Sequence, residues 1–131
     1  MFSMKDVCAQ TGLTYETLKF YCNEGLVPNV KRDAANRRVF DEYDVAWIKG
    51  LQCLKNCSMG LREMKTYTDL CLQGEASILQ RKLILAQKRE ELLAHIAQIQ
   101  ASLDYIDRKQ AFYDGVLSGE IPYTSNLIRP K

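Results

Sequence analysis

The chain is poor in the features that mark membrane, secreted and metal-binding proteins. No apolar stretch approaches the ~18 residues a membrane span needs. The opening Met-Phe-Ser-Met-Lys-Asp has neither a basic n-region nor an apolar h-region, so no secretory signal is expected. Five cysteines (Cys8, Cys22, Cys53, Cys57, Cys71) make an odd number, and none falls in a Cys-x-x-Cys pair. That usage points to reduced thiols in a cytoplasm rather than a disulfide framework. A net charge of +2 is too weak to mark a nucleic-acid binder by itself.

What remains is an ordinary folded composition, 47% hydrophobic and 26% charged. At 131 residues the chain holds one small domain plus an appendage, hardly two full domains. Charge is local. Between Lys31 and Arg38 four cations (Lys31, Arg32, Arg37, Arg38) face one anion, Asp33.

The most informative stretch is residues 3–40. Ser3 with Asp6 three residues on resembles a capping box for a short helix through Val7 and Cys8, which Gly12 breaks. Thr14 can cap a second helix from Tyr15 to about Glu24, with Leu18 and Tyr21 three apart on one face. Gly25 stands where a left-handed residue ends a helix, and Pro28 prevents continuation. Helix, glycine turn, helix is helix-turn-helix grammar, in which the second helix enters the DNA major groove. Val30, Val39 and Phe40 around a polar centre predict two short strands, a basic wing turned at Asn36, which tolerates φ > 0. Asp41 and Asp44 open a third helix with Val45, Ile48, Leu51 and Leu54 inward. After Cys57-Ser58-Met59-Gly60 a fourth runs from Leu61 to about Leu72, and Gly74 ends it.

From Glu75 to Leu117 there is no proline and no glycine before Gly115. Ile78, Leu85, Leu92, Ile99, Ile106 and Tyr113 recur every seven residues, with Ile96, Leu103 and Leu117 on the companion position. Such a heptad is a coiled-coil seam, and charged residues, Lys88 and Glu91 among them, crowd the other faces. Lys82, Arg89 and Gln110 interrupt the companion position, which can fix register at some cost in stability. A helix of roughly 40 residues is about 60 Å long and needs a partner to bury its stripe. The expected organisation is a winged helix-turn-helix domain with a helix pair (1–72), a dimerisation helix (75–118) and a tail (119–131). The fold class is all-α with a small β wing, followed by a long dimerising antiparallel coiled-coil helix.

This order resembles the MerR family of bacterial transcription regulators over essentially the whole chain. Leu13-Thr-Tyr-Glu-Thr-Leu-Lys-Phe-Tyr21 is similar to the family's Leu-Thr-x-x-Thr-Leu-Arg-Tyr-Tyr-Glu, and Gly25-Leu-Val-Pro28 to its Gly-Leu-[Ile/Val]-Pro. Arg38-Val-Phe-Asp41 looks like the end of its wing. The resemblance implies a homodimer on a near-palindromic operator in an overlong promoter spacer, bent and untwisted so that RNA polymerase can engage both promoter elements. It implies DNA contacts from Tyr15, Thr17, Lys19, Tyr21 and Arg38, and Arg37, in the basic run beside Arg38, is a further candidate contact. Lys19 stands for the family's arginine and lacks its bidentate fork, so a base contact there weakens or becomes a phosphate contact. Phe20 lacks a hydroxyl, Cys22 replaces an acidic residue, and Asn36-Arg37 replaces a typical Gly-Tyr in the wing; these departures bear on operator preference.

No metal or cofactor is expected. Residues 72–131 contain no cysteine and a single histidine, His95, which does not reproduce the thiolate sites of metal-sensing members. Members that respond to aldehydes and to nitrosative or electrophilic stress keep a cysteine at the position of Cys53. A thiol near Lys49 and Lys55 can be alkylated or oxidised; the lysines favour its thiolate, whereas a helix C-terminus opposes it. The alternative for Cys53 is a small buried apolar residue. Other readings are a reversible ligand at the dimer interface, against Trp47, Tyr67, Tyr105 and Tyr113, and a coiled-coil protein without DNA binding. A thiol-redox enzyme using Cys53 and Cys57 lacks the Cys-x-x-Cys geometry and βαβ context, so the chain reads as no enzyme.

Overall fold

The structure is a computed structural model that describes residues 1–129. In chain order it comprises β1 (Phe2–Ser3), α1 (Met4–Thr11), α2 (Tyr15–Asn23), β2 (Lys31–Arg32), β3 (Arg38–Phe40), α3 (Glu42–Asn56) and α4 (Leu61–Leu72). A 3-10 turn (Gly74–Ser77) then leads into α5 (Ile78–Ser118). Backbone contacts divide the chain into two compact units, Met1–Arg89 and the part from Glu90 on.

Caps set the helix boundaries. Ser3 Oγ accepts from the Asp6 amide at 3.1 Å while the Asp6 carboxylate accepts from the Ser3 amide at 2.9 Å, a closed capping box. Asp41 and Asp44 repeat that box at 2.8 and 3.0 Å to start α3. Thr14 caps α2 through the Thr17 amide at 3.2 Å. At the end of α2 the chain reverses at Gly25 (φ +77°), and the Leu26 amide returns to the Tyr21 carbonyl at 3.0 Å. Val7, Leu18, Leu26, Val27, Phe40, Ile48 and Leu51 are fully buried, so α1, α2, the wing base and α3 share one core.

The sheet has three strands in the order β1-β3-β2, all antiparallel. β2 and β3 form the expected wing, with Asn36 at φ +60° in its turn. β1 is additional: Phe2 pairs with Phe40 and Ser3 with Val39. The Ser3 cap is already extended (ψ 171°), so its backbone can join a sheet edge, and two residues are too few to show an alternation.

In the first unit, the early turns of α5 pack on the helix pair: Ile84 joins the core from α5. Lys88, expected among the solvated charges, is only 8% exposed and lies 2.8 Å from Glu63 Oε2. Its long apolar stem can be buried while the ammonium finds a carboxylate. Further along α5, Ile96, Ile99, Leu103, Ile106, Tyr113 and Leu117 are all exposed. At the end of α5, Gly119 (φ +84°) turns the chain, and the Glu120 and Ile121 amides both donate to the Gly115 carbonyl at 2.9 and 3.1 Å. Ile121 packs over Gly115, where a side chain would collide with it. No helix among the described residues is long and apolar enough to cross a membrane.

Candidate nucleic-acid interface

The helix-turn-helix presents its second helix by burying one side of it. Leu18 and Tyr21 point into the core, which turns Tyr15, Lys19 and Phe20 outward and leaves Thr17 half-buried. The Thr14 hydroxyl donates to the Thr17 hydroxyl at 2.9 Å, fixing the first turn of α2. Tyr21, assigned a phosphate contact by resemblance, is placed in the core. The residue is 3% exposed, and its buried hydroxyl has no hydrogen-bond partner among the described residues. Leu18 and Tyr21 lie three apart on a helix, so the packing that buries one buries the other.

Asp33 organises the wing turn. Its Oδ1 accepts from the Ala35 and Arg37 amides, both at 2.9 Å, and its Oδ2 accepts from Arg37 Nε at 3.2 Å. These bonds, with the Arg37 amide foremost, hold the Asp33 carboxyl below its ordinary pKa. Arg32 spans the turn to the Asn36 carbonyl at 2.9 Å. The Lys31 ammonium lies 3.0 Å from Asp41 and 3.6 Å from Asp44, and the Asp41 bond raises its pKa. Arg38 reaches from β3 to α2, donating through Nη2 to Asn23 Oδ1 at 2.6 Å. Half-burial pushes the Cys22 thiol up, although Arg38 and Arg32 pull the other way.

Between the starts of α1 and α2 and the wing lies a groove of about 600 Å³. Tyr15, Arg37 and Arg38 line it, joined by Lys5 and Arg32. The structure therefore brings three of the six sequence-predicted residues to one concave basic surface. Thr17 lies instead beside Tyr21 and Lys55 in a neighbouring groove of about 400 Å³, and Lys19 is exposed on α2. Lys5 and Arg32 were missing from the predicted site. Arg32 belongs to the basic run, but Lys5 is marked only by its place in the first turn of α1. Asn23 was also missed, since a pairing 15 residues away leaves no local pattern.

Cys53 is exposed on the last turns of α3, and its carbonyl accepts from the Cys57 amide at 3.1 Å. All five cysteines are free thiols. Trp47 donates through Nε1 to the Leu26 carbonyl at 2.7 Å and borders a cavity of about 240 Å³ with Tyr43, Asp44 and Cys71. Tyr67, paired with Trp47 in the sequence reading, does not line it; its hydroxyl is raised in pKa by burial. No cluster of three or more His, Cys, Asp or Glu among the described residues could hold a metal ion.

Known proteins share both the pattern and the geometry. The chain is 36% identical over 102 residues to an uncharacterised HTH-type transcriptional regulator of Haemophilus influenzae, covering 78% of this chain and 76% of that one. It is 36% identical over 91 residues to the HTH-type transcriptional regulator AdhR of Bacillus subtilis, covering 70% and 65%. The crystal structure of HiNmlR, a MerR family regulator lacking the sensor domain and bound to promoter DNA, matches with a TM-score of 0.76. It is 32% identical and covers 89% of this chain and 93% of that one. With the MerR HTH regulatory family model matching residues 2–70, the chain belongs to the MerR family of helix-turn-helix regulators.

Proposed function

We propose that the protein acts in the cytoplasm as a homodimer on a near-palindromic promoter operator and distorts the spacer to switch transcription by RNA polymerase. The observation that carries this reading is the groove that gathers Tyr15, Arg37 and Arg38 with Lys5 and Arg32. Guanidinium and ammonium groups gathered there, exposed except at the half-buried Arg38, suit phosphates flanking a major groove, with Thr17 and Lys19 further along α2. Tyr21 supports α2 from the core. That HiNmlR is bound to promoter DNA supports the same use of this fold.

The dimer rests on the exposed apolar residues of α5, which a second copy would cover as a coiled-coil seam. A twofold dimer places two recognition helices on successive major grooves, so the operator is near-palindromic. Bending and untwisting the spacer costs on the order of 1–6 kcal/mol. A signal that shifts the dimer between two shapes by a comparable amount suffices to switch it.

The signal enters at Cys53. Its exposed thiol adds to the carbonyl carbon of a small aldehyde: an S–C bond forms, the C=O π pair becomes the hydroxyl oxygen, and that oxygen takes the thiol proton. In-vitro transcription from the promoter upstream of its own gene tests this, using wild type and Cys53→Ser with and without a small aldehyde. Induction confined to wild type supports the switch. Equal induction of both proteins removes Cys53 from it.

A second reading has one observation in its favour. The cavity beside Trp47, about 240 Å³ and so below the range of drug-sized sites, has room for a benzene-sized molecule held without a covalent bond. Saturable binding without any increase in protein mass would favour it over thiol chemistry.

A further inference from the structure

Three elements of the first unit meet at one ammonium. Lys88, on α5, donates to Glu63 Oε1 on α4 at 3.1 Å and to the Ser58 carbonyl, in the α3–α4 turn, at 3.4 Å. Glu63 Oε1 also accepts from the Gly60 amide at 3.3 Å, closing the start of α4. Lys88 binding holds the Glu63 carboxyl below its ordinary pKa. Ser58 is held at φ +66°, a left-handed conformation that a non-glycine residue adopts at some cost.

That turn begins where the Cys53 carbonyl lies. The Cys57 amide donates to Cys53, the Ser58 amide to Lys55 at 2.9 Å and the Met59 amide to Leu54 at 3.2 Å. The end of α3 and the ammonium on α5 are therefore two ends of one short hydrogen-bonded run. An apolar side chain in place of Lys88 would keep α5 on α4 without regard to small shifts. A hydrogen bond already at 3.4 Å is different, because a displacement of a few tenths of an ångström breaks it. An ammonium that loses the Ser58 carbonyl is drawn toward the Glu63 carboxylate, already 2.8 Å away.

We propose that Lys88 is a positioning residue that couples the α3–α4 turn, and with it the state of Cys53, to α5. This rests on the Cys53 reading above. A change at the end of α3 moves the Ser58 carbonyl, and Lys88 passes that movement to the first turns of the helix carrying the proposed seam. The residue is needed for response, not for operator binding.

The experiment measures four quantities for wild type, Lys88→Met, Lys88→Arg and Cys53→Ser: operator affinity, dimer mass, thiol adduct by mass spectrometry, and in-vitro induction by a small aldehyde. Lys88→Met is expected to keep its dimer, its adduct and operator affinity within about twofold, yet lose induction by at least roughly fivefold, the range of coupling between sites. Lys88→Arg, which retains the charge and donors, should recover most of it. Full induction of Lys88→Met while Cys53→Ser is silent overturns the coupling and leaves the Cys53 switch standing. Induction of Cys53→Ser like wild type overturns the Cys53 reading, and the coupling of its state to α5 falls with it. If Lys88→Met fails to bind operator, Glu63→Gln decides: its amide still accepts from Gly60 but no longer pairs with a charge. Undiminished induction of that variant overturns the proposal, and a several-fold loss with operator binding kept supports it.

Discussion

Arg38 and Asn23 clamp the wing to the recognition helix through a single 2.6 Å hydrogen bond between residues 15 apart in the chain. The bond uses one nitrogen of the guanidinium, and in the proposed interface the others meet DNA. Arg38→Ala should weaken operator binding by about 1–3 kcal/mol and reduce the slope of log affinity against log salt by roughly one. Asn23→Ala, which frees the arginine without removing its charge, should leave that slope unchanged and cost less affinity. Titrations of a labelled operator at several salt concentrations separate the two effects.

The exposed residues of α5 make a second prediction. Ile99→Glu and Ile106→Glu place a charge on the proposed seam, where two copies would face each other. Each should shift the protein from dimer to monomer in sedimentation velocity. Operator affinity should fall by orders of magnitude, because one protomer reaches only one half-site. A dimer that survives both substitutions would place its interface elsewhere.

Acid should loosen the first unit through its caps. The Asp44 amide, and next Lys31, hold the Asp41 carboxyl below its ordinary pKa, as the Ser3 amide does for Asp6. A carboxyl whose folded pKa is depressed contributes stability that is complete above its unfolded pKa and is lost as pH falls through the folded one. Thermal stability should therefore hold near neutral pH and decline below about pH 4. Asp41→Asn can still cap α3 but cannot titrate, so its acid decline should be shallower.

Trp47 is the single tryptophan, so intrinsic fluorescence reports on the cavity it borders. A ligand entering there should quench or shift that emission and saturate. Trp47→Ala removes both ring packing and the bond to Leu26 and should cost about 3–5 kcal/mol in chemical denaturation, less to the extent that the half-buried ring is already wet.

Gly115→Ala tests the end of α5. A methyl there displaces Ile121, so the Glu120 and Ile121 amides should lose protection in hydrogen exchange. Global stability should change little, since alanine adds up to about 1 kcal/mol of helix propensity in compensation.

Much of the fold could be read along the chain because local chemistry writes it there. The Ser3–Asp6 and Asp41–Asp44 boxes, the left-handed glycines and the unbroken α5 each depend on neighbours a few residues away. What escaped reading depends on distance or on brevity. β1 is two residues long, Asn23 meets Arg38 across 15, and Lys88 meets Glu63 across 25. Tyr21 shows a different gap. A motif names the residue at a position, but the packing beside Leu18 determines which side of the helix it faces.

Ionic strength acts unequally on the two electrostatic layers of this protein. In the proposed interface the groove cations, the half-buried Arg38 apart, stand in solvent, and every phosphate they neutralise would release counterions, so moderate salt would erode their grip steeply. The Lys88 ammonium, 9% exposed, is shielded far more by protein than by ions, even though Glu63 beside it is half in water. A change in cellular salt would therefore alter how often the regulator sits on its operator while leaving the linkage between Lys88 and Glu63 almost untouched. On the proposed coupling, occupancy and responsiveness then vary independently within one small chain.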